Sequence, residues 1–430
     1  MIFNIVDFGA DGSGKKNSGK AIQQAIDACG KSGGRVYVPA GRFLSGFLRL
    51  RSDVELYLEQ GAVLVSDLDA EEDYFLYANH EKNITISGSG QIDGQGSLRF
   101  VDDGADGAFH ECPLNVSGKR PRTSYFEDVE NLTVKGITFF DAAFWTLHMA
   151  GCRNVLVDGI RILNNDRGPN NDGIDPDCCR NVAIQNCIIE SGDDCIVVKA
   201  TRESSKKYGG CENIVIRGCV LHSRDSALKI GTETWGDIRG IIFSDCIVKD
   251  CSRGIGIWSR DGGKISDIHI HHIIGNTRRY ADCPQRAFAP RWWGKGEPLF
   301  LSATKRRGSE QLPGKIENVF IDHIDFVSES CIFIAGESGA TIEQIQIREV
   351  LIRWKKQSLH TPDVFDEQPS EREVYKHEIP CVYGRYARHV LIRGQLEVGK
   401  ELGSVIRKKK ITEECEDFVV ETPNTGMKKA

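Results

Sequence analysis

Three segments of the sequence set its fold: Asn154-Val-Leu-Val-Asp-Gly-Ile, Asn181-Val-Ala-Ile-Gln-Asn-Cys and Asn213-Ile-Val-Ile-Arg-Gly-Cys. Each begins with a polar residue, continues with aliphatic residues at every second position, and then carries two turn-forming residues before a small or aliphatic one. Alternation with a period of two is typical of a β-strand. From Asn131 to Asp267 the pattern recurs at intervals of 23, 27, 32, 27 and 27 residues. A strand-rich repeat of this length indicates a solenoid.

The repeat predicts an all-β protein, a single-stranded right-handed parallel β-helix. Helix-forming residues are too sparse inside each unit for a leucine-rich horseshoe. Cys187, Cys219 and Cys246 each lie six residues after their repeat start, where other coils carry isoleucine. Equal offsets place them in one interior column, and we interpret them as small buried hydrophobic residues rather than as metal ligands or disulfides.

One domain is predicted for the whole chain of 430 residues. An amphipathic helix over 18–30 would cap the open end of the solenoid. The predicted parts are the cap and first strands at 1–60, the coils at 80–400, loops at 98–127 and 276–315, and a loose tail at 408–430 that starts beside the basic run 407–410.

Composition excludes some classes of function. The 61 acidic and 55 basic residues give a net charge of −6, which argues against nucleic acid as the main partner. No apolar run reaches membrane-spanning length. No leader precedes the first strand-like residues, so a cytoplasmic protein is predicted, with an extracellular one as the alternative if a signal peptide has been removed. The 15 cysteines form no metal-binding pattern, which predicts reduced thiols and no cofactor. The sequence leaves the oligomeric state open.

A second alignment of the coils locates the chemistry. Asp172, Asp194, Ser226 and Arg253 begin equivalent segments that are 22, 32 and 27 residues apart. Equivalent positions on adjacent coils lie about 4.8 Å apart, so Asp172 and Asp194 should be neighbours, with Asp193 beside them. Clustered carboxylates repel one another and raise at least one pKa. Such a group suits glycoside hydrolysis, although a calcium site is an alternative.

The motifs Asn170-Asn-Asp-Gly-Ile-Asp175 and Gly192-Asp-Asp-Cys195 resemble the paired signatures of glycoside hydrolase family 28, the polygalacturonases. Val6-Asp-Phe-Gly-Ala-Asp-Gly and Val38-Pro-Ala-Gly-Arg are also similar to that family, and the resemblance covers roughly residues 1 to 350. It implies hydrolysis with inversion at the anomeric carbon. Asp193 would then be the general acid, Asp172 and Asp194 would activate water, and Asn170 would position the site.

Two positions depart from the family pattern. Ser226 stands where the family carries the His of Gly-His-Gly, and Gly256-Ile257-Trp258 stands where it carries Arg-Ile-Lys. Nearby cations are predicted to replace the missing ones, and Trp258 offers a flat face to a sugar ring. The predicted substrate-binding residues are Asn170, Asp175, His148, Lys199, Ser226, Lys229, Arg253, Trp258, Arg260, Trp292 and Trp293. For His148 and the paired tryptophans, structural packing is the alternative interpretation. For Lys199 and Lys229, the alternative is that they neutralise the aspartates.

The predicted function is therefore hydrolysis of glycosidic bonds in pectic or related acidic oligosaccharides, with an exo mode as the working expectation. The predicted partner is an oligo- or polysaccharide. A polysaccharide lyase on the same fold is one alternative, which would need calcium and a base such as Arg253 or Lys229. A non-catalytic carbohydrate-binding β-helix is the other.

Overall fold

The computed structural model describes residues 1–104, 107, 109–281, 294–361, 364–365, 375–376 and 379–422. These ranges contain two α-helices, α1 at Gly19–Gly30 and α2 at Arg202–Tyr208. Three short 3-10 turns lie at Ile5–Phe8, Gly96–Arg99 and Lys400–Leu402. Neither described α-helix combines the length and apolar character that crossing a bilayer requires.

One side of the molecule is a parallel sheet of 12 strands, which we call the cleft sheet. Each of its strands comes from a successive coil and pairs with the strands of the coils before and after it. Its strands are Leu48–Arg49, Tyr74–Asn79, Arg122–Glu127, Leu147–Ala150, Ile174–Asp177, Ile196–Ala200, Ser226–Thr234, Arg253–Ser259, Glu297–Ala303, Ile332–Ala335, Val382–Arg385 and Lys410–Glu413.

The remaining sides form a second parallel sheet of 23 strands. It starts as two separate ladders, which merge where the strands lengthen to 13 residues at Ile265–Thr277. Its strands are Ile2–Asn4, Ser13–Asn17, Gly34–Val38, Gly41–Ser45, Val54–Leu58, Ala62–Ser66, Lys82–Gly88, Gln91–Asp93, Glu130–Lys135, Thr138–Phe140, Arg153–Asp158, Arg161–Leu163, Arg180–Gln185, Ile188–Ser191, Cys211–Arg217, Val220–Ser223, Ile238–Ser244, Ile247–Cys251, Ile265–Thr277, Ile316–Ser328, Ile342–Trp354, Ala387–Val398 and Glu416–Glu421. Two antiparallel pairs lie outside both sheets, Phe100–Val101 with Asn115–Val116 and Val364–Phe365 with Tyr375–Lys376. The predicted right-handed parallel β-helix is confirmed.

The repeat starts share a backbone conformation that explains their residue type. Each has a positive φ, for example 56° at Asn154, 57° at Asn181 and 61° at Asn213. Asparagine tolerates this left-handed region better than most other residues with a side chain. The asparagine amides also bond along the stack, since Asn181 Nδ2 donates to Asn154 Oδ1 at 3.1 Å and Asn213 Nδ2 donates to Asn181 Oδ1 at 3.2 Å.

The interior is filled by the aliphatic residues of the repeat. Cys187, Cys219 and Cys246 are buried and free, as predicted for one interior column. Among the cysteines that the structure describes, every free one except Cys415 is buried. The expectation of reduced thiols is wrong at Cys112, which is disulfide-bonded.

Helix α1 covers the N-terminal end of the solenoid. Ile22, Ala25, Ile26 and Cys29 are its buried residues, and they pack against the first strands. Because the first coil has no preceding coil, its interior would otherwise face water, and the amphipathic helix removes that exposure.

Several strands lie in segments that were predicted to be loops or tail, and three of them belong to the cleft sheet. Arg122–Glu127 carries Ser124 at an inward position, which hides the aliphatic alternation. Glu297–Ala303 is buried on both faces and so does not alternate. Lys410–Glu413, predicted as tail, is the last strand of the cleft sheet, and its exposed charges suit a sheet edge.

Candidate active site

The register of the cleft sheet brings two aspartates onto neighbouring coils. Asp172 and Asp194 occupy the turns that lead into the strands Ile174–Asp177 and Ile196–Ala200. The amide of Gly173 donates to the Asp194 carbonyl at 2.9 Å, so the two turns are bonded side by side. The predicted neighbour relation between Asp172 and Asp194 is therefore present.

Asp193 is held by backbone amides from both motifs. Its Oδ1 accepts a hydrogen bond from the Asp194 amide at 3.0 Å, and its Oδ2 accepts one from the Asn170 amide at 3.2 Å. The buried Asn171 fixes the same turn, since its Oδ1 accepts from the Gly192 amide at 2.8 Å and the Asp193 amide at 3.3 Å. Sequence reasoning missed Asn171 as a positioning residue, although it lies inside the first motif.

The three carboxylates Asp172, Asp193 and Asp194 converge, with one oxygen from each within 4.8 Å of the others. Lys199 Nζ lies 2.9 Å from Asp172 Oδ2, and Lys229 Nζ lies 2.6 Å from Asp194 Oδ2. Two of the three carboxylates thus have an ammonium partner. Within the described residues, Asp193 has no ion-pair partner.

This unequal pairing separates the acidities of the group. Burial raises the pKa of Asp193 well above its ordinary value, and the charges of Asp172, Asp194 and Asp225 raise it further. Burial also raises the pKa of Asp194, to about 7, against the opposing charge of Lys229. Such a site can hold a proton on Asp193 in neutral solution.

The carboxylates form the floor of a cavity of about 280 Å³. Six of its lining residues were predicted for the site: Asn170, Asp172, Asp193, Asp194, Lys199 and Lys229. Five others were missed: Trp145, Asp225, Thr232, Glu233 and Arg306. The coil alignment held a signal for Trp145, which starts an equivalent segment, and for Asp225, which adjoins Ser226. Arg306 lies in a long interruption with no repeat, so no pattern places it.

Asp175 and His148 are buried and do not line the cavity, and their contact with substrate stays a prediction. Asp175 is fully buried, and its Oδ1 lies 2.9 Å from Lys199 Nζ. Burial raises the pKa of Asp175 well above its usual range, and the neighbouring charge of Asp172 adds to the rise. Burial lowers the pKa of His148, whose Nε2 lies 3.3 Å from Asp177 Oδ2. The outward side of the strand is covered at these positions, which the alternation alone does not show.

Ser226 and Arg253 are also buried beneath the cavity rather than in it. The Ser226 amide donates to Asp194 Oδ1 at 3.3 Å, so this residue contributes its backbone to the site. Arg253 is 1% exposed and lies 3.5 Å from Asp225 and 3.6 Å from Glu297. Both acids hold the guanidinium inside the protein, and its contact with substrate stays a prediction.

Trp258 and Arg260, which were also predicted to bind substrate, do not line the cavity either. Trp258 is 1% exposed, and its ring folds over Gly256, where a Cβ atom would lie 1.9 Å from the ring. The ring lies 4.9 Å from Lys229 Nζ and so supports that lysine instead of offering a free face to a sugar. Arg260 is buried and donates to the Ser302 carbonyl at 2.9 Å. Trp292 and Trp293 lie outside the described residues.

The three converging carboxylates are oxygen ligands of the kind that calcium and magnesium prefer. Lys199 and Lys229 already compensate two of the three charges at 2.9 and 2.6 Å. A divalent cation would therefore have to bind beside two ammonium groups, which repel it.

The site and the β-helix together define a class of carbohydrate-active protein. The model of glycosyl hydrolases family 28 matches residues 29–278, more than half of the chain. The protein belongs to this family.

Named relatives are similar in sequence, and a solved structure is similar in fold. A probable polygalacturonase of Vitis vinifera is 30% identical over 309 residues, covering 65% of this chain and 61% of its own length. An exopolygalacturonase of Zea mays is 29% identical over 204 residues, covering 46% and 48%. The chain thus spans about half to three fifths of these relatives. The structure of a family 28 exopolygalacturonase from Yersinia enterocolitica matches with a TM-score of 0.73 at 19% identity, covering 98% of this chain and 79% of that one, and this likeness concerns the fold.

Proposed function

We propose that the protein is an inverting glycoside hydrolase that cleaves glycosidic bonds in pectic or related acidic oligosaccharides. The observation that carries the proposal is the convergence of three buried carboxylates, of which Asp172 and Asp194 face lysines and Asp193 does not. Glycoside hydrolysis needs a protonated acid beside an ionised carboxylate, and this unequal pairing provides both.

Asp193 acts as the general acid in this proposal. Its raised pKa, caused first by burial and then by three neighbouring acids, keeps its proton available for the leaving oxygen. Asp172 and Asp194 act as the base pair, because Lys199 and Lys229 stabilise their charged forms.

The spacing of the carboxylates suits one shared water. A water that donates both of its hydrogens in bonds of about 2.7–2.8 Å spans two acceptors about 4.4 Å apart, and the oxygens here lie within 4.8 Å. Inversion is proposed on family membership and on this shared water, so the stereochemistry needs a direct test.

The substrate proposal comes from the relatives, which are named polygalacturonases. An exo mode is proposed because the maize relative and the Yersinia structure are both named exopolygalacturonases. Product analysis separates the modes, since an exo enzyme releases one short product from the start and an endo enzyme releases a range.

The first experiment incubates the protein and its Asp193→Asn variant with galacturonan and rhamnogalacturonan oligosaccharides and follows the products by NMR. Inverted anomers from the wild type, with a loss of at least about 10²-fold in the variant, are the expected result. Retained anomers would refute the shared-water mechanism. Equal rates in both proteins would refute the assignment of Asp193.

The lyase alternative has no observation in its favour. Its candidate base Arg253 is 1% exposed and ion-paired. Burial lowers the pKa of Lys229, but Asp194 and Asp225 outweigh burial and the net pKa is raised, which makes this lysine a poor base. We expect a chelator to leave the rate unchanged and no unsaturated product to form. A chelator-sensitive, unsaturated product would establish the lyase instead.

The compartment stays a prediction. The buried free cysteines fit the proposed cytoplasmic location, whereas the disulfide at Cys112 fits an oxidising compartment. Cell fractionation, combined with thiol counting before and after reduction, distinguishes the two.

A further inference from the structure

An aromatic strip runs along the outer face of the cleft sheet on the N-terminal side of the cavity. It consists of the partly exposed rings of Phe47, Tyr74, Tyr77, Tyr125, Phe144 and Trp145. Tyr74 and Tyr125 stack at 4.7 Å, Tyr74 and Tyr77 at 5.3 Å, and Phe144 and Trp145 at 5.4 Å between ring centroids. Trp145 also lines the cavity, so the strip is continuous with the catalytic floor.

Arg122 lies at the centre of this strip. Its guanidinium carbon is 5.0 Å from the ring centre of Trp145, 5.1 Å from Phe144, 5.7 Å from Tyr125 and 5.9 Å from Tyr74. The side chain is half-buried, and its Nε is buried without a hydrogen-bond partner. In the part of the chain that the structure describes, no carboxylate forms an ion pair with Arg122.

The other cations around the cavity are engaged. Lys199 and Lys229 pair with Asp172 and Asp194, and Arg306 pairs with Asp261 at 2.9 Å. A half-buried guanidinium that no protein carboxylate compensates is stabilised by an anion that arrives from outside. The ligand class that satisfies it is an anion with two oxygens in one plane, which a guanidinium binds through parallel hydrogen bonds.

We propose that Arg122 binds the carboxylate of a uronic acid unit of the substrate, next to the bond that is cleaved and on the N-terminal side of the cavity. The rings of Trp145 and Tyr125 pack against the apolar C–H face of that sugar and of the next one along the strip. This inference rests on the proposed function and specifies its substrate as a uronate-bearing chain. It also identifies a cation for the substrate carboxylate that lies on the opposite side of the catalytic aspartates from Gly256 and Trp258.

The test compares the wild type with Arg122→Gln and Arg122→Lys on a galacturonate trimer and on its methyl ester. For Arg122→Gln we expect KM for the free acid to rise about 10- to 100-fold, the effect of losing a hydrogen bond to a charged group, with kcat nearly unchanged. The ester should show no such rise, and Arg122→Lys should recover part of the loss. Arg35→Gln is the matched control, since Arg35 also lies over a tyrosine, 4.5 Å from Tyr57, but in the other sheet.

Binding is measured separately, by calorimetry of the trimer with Asp193→Asn and with Asp193→Asn/Arg122→Gln. If the wild type cleaves the trimer but Arg122→Gln keeps both its KM and its preference for the free acid, the inference is wrong and the proposed function stands. If the wild type binds without cleaving and Arg122→Gln abolishes binding, the inference stands and the hydrolase proposal fails. A lower melting temperature with an unchanged Kd would make Arg122 purely structural, and an absence of binding to Asp193→Asn would overturn the inference.

Discussion

Three aspartates share the cavity floor, yet their surroundings give them different protonation behaviour. Asp172 and Asp194 each face an ammonium group, whereas Asp193 receives two backbone N–H donors. Asp225 adds a further negative charge that raises the pKa of both Asp193 and Asp194. The pH dependence of the reaction therefore belongs to the group of carboxylates rather than to one residue.

We predict a bell-shaped profile of kcat/KM against pH. The rate should fall below pH about 7, where Asp194 gains a proton and loses its action as a base, and fall again at higher pH, where Asp193 loses its proton. Asp225→Asn removes a neighbouring negative charge and should move both limbs to lower pH by about one unit. Asp322→Asn, in the strand Ile316–Ser328 of the 23-stranded sheet, is the control. Equal profiles for the wild type and Asp225→Asn would contradict the prediction.

A second prediction concerns stability. Lys199→Met leaves Asp172 and Asp175 buried without their cation and should lower the free energy of unfolding by about 3–5 kcal/mol. Asp175→Asn should stay within about 1 kcal/mol of the wild type, because it replaces an acid whose raised pKa already favours the neutral form.

The pH dependence of this effect has a defined sign. The unfolded chain releases the Asp175 proton near its ordinary pKa, whereas the folded protein retains it to higher pH, so this group contributes less stability as pH rises. Asp175→Asn removes that loss. Denaturant unfolding at pH 5 and pH 8 should therefore show that the variant's free energy of unfolding, relative to that of the wild type, is larger at pH 8 than at pH 5. A difference independent of pH would contradict the assignment.

At the scale of elements, the coils are aligned by the turns at their repeat starts, which we call corners, as much as by their strands. The repeat starts combine a left-handed backbone with a ladder of side-chain amides that runs through Asn131, Asn154, Asn181 and Asn213. Gly240 occupies the equivalent corner with a φ of 66°, so the conformation persists where the amide is missing. The corner thus has a backbone requirement and a separate side-chain contribution.

Two variants separate these contributions. Asn181→Ala should lower the free energy of unfolding by about 1–2 kcal/mol, because alanine is disfavoured in the left-handed region and the amide bonds are lost. Asn181→Gly keeps the conformation at little steric cost and should lose only the smaller share due to the ladder. Chemical denaturation of both variants measures how much each contribution adds to the free energy of unfolding. Equal decreases in the two variants would show that the left-handed backbone is unimportant.

At the scale of the whole molecule, the protein behaves as a stack in which each coil contacts its neighbours. Helix α1 covers the first coil, whereas the last described strands, Lys410–Glu413 and Glu416–Glu421, each pair on one side only. Such a stack loses order most readily at an end with fewer contacts. The catalytic coils lie in the middle, where both neighbours are present.

Hydrogen exchange should therefore vary along the stack. We expect the slowest exchange in Arg180–Gln185 and Cys211–Arg217 and the fastest in Glu416–Glu421, with the N-terminal strands protected by α1. Mass spectrometry of exchanged peptides measures this gradient. Uniform protection along the chain would show that the solenoid opens only as one unit.

The sequence by itself determined the coil period, the inward columns and the adjacency of Asp172 and Asp194. These features follow from strand alternation and from the fixed spacing of stacked strands. It could not decide which outward residues reach the cavity, and six of its predictions for described residues do not line it: His148, Asp175, Ser226, Arg253, Trp258 and Arg260.

Only the tertiary structure decided those positions, because an outward direction does not imply exposure once loops and neighbouring side chains cover the sheet. Trp258 points outward but folds over Gly256, and Arg253 is held by two acids, one of them on the next coil. Arg122 begins a cleft-sheet strand in a segment that was predicted to be a loop, and Arg306 lies in a long interruption, so their roles depend on contacts between parts of the chain that are distant in sequence. The local period fixes the scaffold, and long-range packing selects the residues that meet the substrate.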